Sequence, residues 1–497
     1  MIPVVTPAQM QAIDAAADID VGVLIDRAGA AVAHAALRLL GGAYGRRVIV
    51  VAGPGNNGAD GRVAAERLRQ RGVVVVVLDA LDLPSSLPAA DLIVDAAFGT
   101  GFRGGREFPD VGGTPVLAVD VPTGLDAATA QAYLELLSLR GIEYFFANAG
   151  TDFASIVDAF ALRQHRGDNF PRPITVPHET PLISMAHGYY MLTGKPQAAM
   201  VHVGIGTANG LGALMAAQKA RVPILFSAGR TPITESGYPA SRSAYIHWGQ
   251  EAFDQAGMLR EYVKWDYELR MPSQLEAVVD RALVMSMTEP RGPVYLTMPR
   301  EILAAQYEGI KFQGTPRFDL PTFYPDPQKL REAVNLLIDA EYPLIITSSV
   351  GRSPAAVQAL VGLADAAGVG VVCFNPEYMN FPLNHPCHLG FMPGEPLARA
   401  DVILVVDCDV PWYPNKIVPR DTAKIIQAGI DPYYSGYPIR GFPSDLTLQG
   451  DSALVLSELT RILGDYPDLK AGTITSRKNN FQKIHHRMLK RFEKTAS

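Results

Sequence analysis

Short blocks of consecutive apolar residues, each closing on a glycine or a carboxylate, alternate along this chain with longer stretches of helical periodicity. The blocks RRVIVV, VVVVVL, IEYFFA, AAMVHV, RVPILF, PVYLTM, PLIIT, GVGVVCF, ADVILVV and AKIIQA are rich in valine and isoleucine and too short for buried helices. Such runs predict strands covered on both faces, and the amphipathic segments between them predict crossover helices. A strand, a glycine turn, a helix and a second strand in that order default to a right-handed βαβ unit. The order recurs through the chain, which predicts an α/β protein of three consecutive Rossmann-like parallel-sheet domains, the first incomplete. The expected divisions are 1–129, 130–310, a proline- and aromatic-rich linker 311–328, a further domain 329–465 and a basic helical tail 466–497.

Finer signals fill in the ends. Thr6-Pro7-Ala8-Gln9 reads as a capped helix start with proline at the first helical position, leading into helices that reach Leu40. The tail SRKNNFQKIHHRMLKRFEKTAS puts Phe481, Ile484, Met488, Leu489 and Phe492 at helical spacing among many lysines and arginines. It can be read as a membrane-surface helix or as the start of a helix leading to a further domain, and the second is expected.

Bulk properties narrow the class. At 497 residues and 48% apolar, with mean hydropathy +0.09, the chain can fill about three cores of about 150 residues each. A net charge of −6 and a pI near 6.0 give no electrostatic footprint for nucleic acid. Cys373, Cys387 and Cys408 match neither a disulfide framework nor a zinc spacing. MIPVVTPAQM lacks the basic and apolar regions of a signal peptide, and no apolar run reaches the ~18 residues that span a bilayer. A cytoplasmic protein without membrane or nucleic-acid partners is expected.

Three strand ends in the first segment carry oxygen chemistry. Gly53, Gly55 and Gly58 form G-x-G-x-x-G between a strand and a helix, with Asp79 ending the next strand, which is the dinucleotide pattern in context. Asn56, Asn57 and Asp60 make that turn more polar than a dehydrogenase requires. DLIVDAAFGTGFRGG ends a strand at Asp95 and enters a glycine-rich loop, and PVLAVDVPTGLDA places Asp120 and Thr123 at another strand end. Together these motifs resemble the NAD(P)H-hydrate epimerase family, the YjeF-type N-terminal domain. The resemblance implies potassium ligands at Asn57, Asp95 and Thr123. It implies nucleotide (NAD(P)HX) binding by Asn56, Asn57, Gly58, Ala59, Asp60, Gly99, Thr100, Gly101, Phe102, Arg103, Gly104 and Gly105, and catalysis by Asp120 beside the reacting ring. Ala59 departs from a glycine of the pattern and Thr123 from a serine, and the family's later strands and helices do not follow. Instead Asp126 runs without a linker into AYLELLSLRGIEYFFANAG, an abrupt junction that suggests a hybrid reading frame.

The stretch VPHETPLISMAHGYYMLTGKPQAAMVHVGIGTANG, Val176 to Gly210, organises the second segment. Glu179 is expected at the end of an apolar strand where a small-residue helix begins, and the next strand opens into Gly204, Gly206 and Asn209. A strand ending in a glycine turn that enters a helix is where parallel α/β proteins bind ligands. By itself, a helix N-terminal acid favoured by the helix dipole is the plainer reading of Glu179. With its neighbours, the stretch resembles the pyrimidine-binding domain of thiamine-diphosphate enzymes of the acetolactate-synthase type. The resemblance implies that Glu179 activates the pyrimidine ring, that His178 accompanies it, and that Gly204, Gly206 and Asn209 form the family's G-x-G-x-x-N turn. The Gly150-Thr151-Asp152 loop would face the cofactor, and His247, Gln250 and Glu251 would lie on the family's active-site segment. His247 alone reads more readily as structural.

Residues beyond Gln328 resemble the central domain of the same family, including the Asp431-Pro432 strand end. FAD, bound there by some relatives, is not expected. Asp407 and Asp409 read as solvated or helix-capping carboxylates rather than metal ligands. The family's Gly-Asp-Gly motif for diphosphate and Mg²⁺ is not found after residue 330; the nearest candidate is Gly450-Asp451-Ser452. The resemblance therefore implies thiamine diphosphate with Mg²⁺ at an incomplete site, a homodimer, a small-molecule substrate and a diphosphate-binding domain supplied by a separate subunit. Three functions stay open: 2-oxo acid decarboxylation or carboligation, nicotinamide nucleotide repair by residues 1–129, or an inactive fused or truncated product.

Overall fold

The structure is a computed structural model that describes residues 20–98, 109, 111, 113–119, 129–166, 169–238, 240–305, 312, 319–466 and 471–496. It contains three sheets, and every strand pairing within them is parallel. Two compact units divide the chain, the first holding the first two sheets and the second the third.

The first sheet has the order β2-β1-β3-β4, from Arg47–Ala52 (β1), Val74–Asp79 (β2), Leu92–Ala96 (β3) and Val116–Ala118 (β4). Alternate residues of β1 serve opposite faces. Val48 and Val50 pack with Ala33, Ala36, Leu40 and Leu68 from the helices Val21–Leu40 and Asn56–Gln70, whereas Ile49 and Val51 pack with Ile93 and Ala97. Both faces are covered, so β1 is apolar after Arg47 and β3 is apolar apart from Asp95. Asp20 caps the helix Val21–Leu40 by accepting from the Gly22 N–H, and Gly41 ends it in the left-handed region.

The second sheet has the order β6-β5-β7-β8-β10-β9. Its strands are Tyr144–Ala147 (β5), Arg172–Thr175 (β6), Gln197–Val201 (β7), Ile224–Arg230 (β8), Asp266–Glu268 (β9) and Val294–Pro299 (β10). β7 and β10 are buried throughout, and the edge strands β6 and β9 are not. The strand before Glu179, expected to be apolar, is thus the polar edge strand β6. The helix Thr129–Leu139 opens this domain, and both its Thr129 N–H and hydroxyl donate to the Ala305 carbonyl, tying start to end.

The third sheet, β12-β11-β13-β14-β15, comprises Pro343–Thr347 (β11), Gly370–Cys373 (β12), Val402–Val406 (β13), Lys424–Gly429 (β14) and Leu446–Gln449 (β15). The tail forms a helix, Ala471–Ala496, whose Phe481 and Ile484 face the third core while Phe492 is exposed. Phe481 is fully buried in the third core, in edge contact with Tyr342 at 5.0 Å. Buried Arg477 donates to the carbonyls of Leu337, Ile338, Ala340 and Ala367, which close the helices Pro327–Asp339 and Pro354–Ala367. No helix among the described residues is long and apolar enough to cross a membrane.

Candidate functional sites at the strand ends

The site in the second sheet forms where β5, β7, β8 and β10 end. His178 caps the helix Glu179–Thr193, its Nδ1 accepting from the Thr180 N–H at 3.2 Å, and this sets Glu179 at the first helical position. Glu179 is 7% exposed, with its Oε2 3.4 Å from Asn209 Nδ2 and 3.8 Å from His178 Nδ1. The His178 ring itself is largely exposed. Asn209 lies in the helix Val203–Lys219 that follows β7, so residues thirty apart meet across adjacent helix starts. A Cβ on Gly206 would lie 3.3 Å from Glu179 Oε1 and 2.9 Å from Val201 Cβ, so glycine keeps the carboxylate uncovered.

Next to Glu179 lies a pairing that sequence spacing did not suggest. Asp152, 2% exposed, approaches His202 Nδ1 at 2.5 Å and accepts from the Val203 N–H at 3.3 Å. The His202 pKa is raised, chiefly by the Asp152 hydrogen bond working against burial, with smaller contributions from Gln250 and the Glu179 charge. A Cβ on Gly229 would sit 1.8 Å from Asp152 Oδ2, and one on Gly150 2.1 Å from His202 Nδ1, so the pair fits only between two glycines. Val203 has φ +32°, unusual for a β-branched residue. That strain is localised between His202 and the Gly204 turn.

Gln255 was also missed. It is buried beside Gly204 and donates to the Gly229 carbonyl at 3.0 Å and to Tyr295 Oη at 2.8 Å, while Tyr295 meets the Thr207 hydroxyl at 2.8 Å. Of the other expected site residues, Gln250 adjoins His202, and Glu251 bridges Arg230, Arg242 and the Thr231 hydroxyl. His247 is buried near Arg300. In its hidden carboxylate, uncovered glycine wall and neighbouring asparagine, this cradle fits the pyrimidine end of thiamine diphosphate. No group of three or more histidine, cysteine or carboxylate side chains able to hold a metal occurs among the described residues.

The first sheet carries a second cradle. Its helix Asn56–Gln70 starts in the β1 turn, with Asn57 Nδ2 donating to the Phe98 carbonyl at 3.3 Å. A Cβ on Gly58 would lie 1.8 Å from the Gly53 carbonyl oxygen, and one on Gly53 1.6 Å from that of Ala97. Asp95 is 2% exposed at the end of β3 and accepts from the Ala97 N–H. Burial pushes the Asp60 carboxyl up to about 6. Asn56, Gly58 and Ala59 occupy the first turn of the same helix. Gly99 through Gly105 (Thr100, Gly101, Phe102, Arg103 and Gly104 between them), Asp120 and Thr123 lie outside the described residues.

In the third sheet, Asp407 is not solvated as expected. It is buried, its carboxyl pKa is raised by burial, and it accepts from the Ser452 hydroxyl at 2.6 Å. Asp409 accepts from Tyr437 at 2.6 Å. Asp451 caps the helix Ser452–Gly464, accepting from two of its N–H groups, which accounts for the Gly450-Asp451-Ser452 sequence.

Residues 127–258 match the family model described as the thiamine pyrophosphate enzyme N-terminal TPP binding domain, and residues 330–459 the central domain of those enzymes. Residues 21–88 match the YjeF-related protein N-terminus. An acetolactate synthase of Mycobacterium leprae is 27% identical over 311 residues, 59% of this chain and 47% of that protein. A benzoylformate decarboxylase of Pseudomonas aeruginosa is 26% identical over 339 residues, 66% of this chain and 60% of its own. The crystal structure of a protein from Mycobacterium smegmatis, described as thiamin diphosphate-dependent, superposes with a TM-score of 0.58 at 24% identity. It covers 68% of this chain and 63% of that one, and it shows the shared fold. The chain spans about half the length of the curated relatives it matches.

Proposed function

We propose that residues 130–465 are the pyrimidine-binding and central parts of a thiamine-diphosphate-dependent enzyme acting on 2-oxo acids, by decarboxylation or carboligation. Glu179 carries this reading: a buried carboxyl beside Asn209, over a glycine that leaves its Oε1 open. Bound thiamine diphosphate would supply an acidic thiazolium carbon that adds to a 2-oxo acid and accepts the electrons released with CO₂. Glu179 would exchange a proton with the pyrimidine ring through Oε1. Asn209 would hold the other carboxyl oxygen, and the charged Asp152–His202 pair would be a second proton carrier in the same cradle. The diphosphate and Mg²⁺ would be held by a diphosphate-binding domain, which the described residues do not include. Saturation-transfer NMR with thiamine tests the pyrimidine end alone. The pyrimidine methyl should receive signal from the wild-type chain and lose most of it in Glu179→Gln. Equal transfer to both chains would remove Glu179 from the site.

A second reading concerns the first sheet. We infer nicotinamide nucleotide repair, epimerisation of the hydrated ring, on the turn Asn56–Asp60, supported by the close Gly53–Gly58 approach and by Asp95 at the adjoining strand end. Asn57, Asp95 and Thr123 would ligate potassium, and Asp120 would do the acid–base work. NADP⁺ titrated in potassium buffer should bind more tightly than in sodium, and Asn57→Ala should erase the difference. Binding indifferent to the cation would count against it.

A further inference from the structure

The strand ends of β8 and β10 hold a second group of polar side chains that the pyrimidine cradle does not use. Arg230 closes β8, paired in register with Pro299 of β10, and Arg300 follows Pro299 directly. These two arginines line one narrow pocket with His247, Gln250, Thr151 and Asp152, too tight to admit a water molecule until a side chain moves.

The hydrogen bonding of His247 is inconsistent without a further acceptor. The residue is 3% exposed, and its Nδ1 accepts from the Ser243 backbone N–H at 3.1 Å. A neutral imidazole has one acceptor nitrogen, so its proton must then sit on Nε2. Burial and the charges of Arg300 and Arg242 hold its pKa down, so the neutral ring is the relevant one. Yet the group facing Nε2 is Arg300 Nη1, at 3.4 Å, which can only donate. Two N–H groups therefore point at one space. Arg300 Nε and Arg230 Nε are also buried without an acceptor. Buried donors left unpaired cost about 1–3 kcal/mol each, so the facing His247 Nε2–H and Arg300 Nη1 favour an acceptor between them.

Charge points the same way. Arg230 is paired with Glu251 and Glu268, and Arg242 with Glu251. Asp152 is engaged by His202 and the Val203 N–H. The Glu301 carboxylate already accepts from the Ile233 and Thr234 N–H groups and the Thr234 hydroxyl. Among the described residues Arg300 has no carboxylate partner.

We propose that this pocket, opened by movement of the Arg300 side chain, binds the carboxylate of a small organic acid, with one oxygen bridging His247 Nε2–H and Arg300 Nη1. A planar two-oxygen anion suits guanidinium donors better than a spherical ion does. Carboxylate recognition here needs no cofactor; that the acid is the substrate rests on the thiamine-dependent reading, since the pocket and the Glu179 cradle share Asp152 and Val203.

The test is calorimetric titration of the full chain, in chloride-free buffer without thiamine diphosphate, with pyruvate, benzoylformate, pyruvamide and inorganic phosphate. At least one acid should bind saturably, pyruvamide at least tenfold more weakly, and Arg300→Met should weaken the acid at least tenfold, with partial recovery in Arg300→Lys. Wild-type chain labelled with ¹⁵N-histidine gives an independent reading: the His247 Nε2 resonance should move with the acid and not with pyruvamide. No saturable acid binding, equal affinity for pyruvamide, or an unmoved His247 signal would overturn the proposal. Phosphate binding as tightly as the acids would overturn its carboxylate selectivity. Absence of thiamine binding would leave all four titrations interpretable, so the two readings fail separately.

Discussion

At the ends of β5 and β7, one buried carboxylate is met by one imidazole, and the pH dependence of that contact can be worked out. Folding raises the His202 pKa, mainly through Asp152. A histidine raised in this way contributes stability that is fully present below its unfolded value of ~6.5 and lost as pH climbs through the folded value. His202→Gln should therefore cost about 1–3 kcal/mol at pH 6 and clearly less at pH 9, read by urea denaturation. A gap that widens with pH would mean that the ion pair is not the source. Glu179 and Asn209 stood out in the sequence because each occupies a marked place, a helix start after His178 and a glycine turn. Asp152 was marked by its Gly150 loop, but its pairing with His202 was not, since fifty residues separate them and only the adjacency of β5 and β7 joins them. Arg230 and Arg300 became neighbours only through the β8–β10 register.

Elements buried on both faces were the legible ones. β7, β10, β11 and β13 are largely apolar because they are buried along their whole length, and β8 is buried up to Arg230. The edge strand β9, Asp-Tyr-Glu, has no such signature, and β6 carries Arg172 and Pro173. Pro at an edge is tolerated because one side of the ladder is unpaired. The tail helix was legible as amphipathic, but its partner was not. Since Phe481 is fully buried against Tyr342, Phe481→Ala should destabilise the third-sheet domain by about 3–5 kcal/mol, measured by chemical denaturation. A change under about 0.5 kcal/mol, as expected of a surface site, would place the helix outside that core. In the first sheet, Gly58→Ala forces a carbon onto the Gly53 carbonyl and should cost about 1–3 kcal/mol. Unaltered stability would mean that the turn has room to spare.

On the scale of the whole molecule, each sheet has an apolar cluster of its own, and the described residues form two compact units. Independent cores favour independent melting. Scanning calorimetry should give a calorimetric enthalpy larger than the van't Hoff value, with more than one resolvable component. A single transition with equal enthalpies would show that the domains unfold as one.

The Arg477 contacts also bear on how the protein is made. The guanidinium binds carbonyls that end helices synthesised more than a hundred residues earlier, and Phe481 seals the same core. On the ribosome, the third domain can assemble its strands but must keep Tyr342 and those carbonyls uncovered until translation has passed Ile484. During that interval the emerging chain exposes an unfinished apolar core, the kind of surface on which aggregation starts, whereas the strands of the first two sheets have all been made.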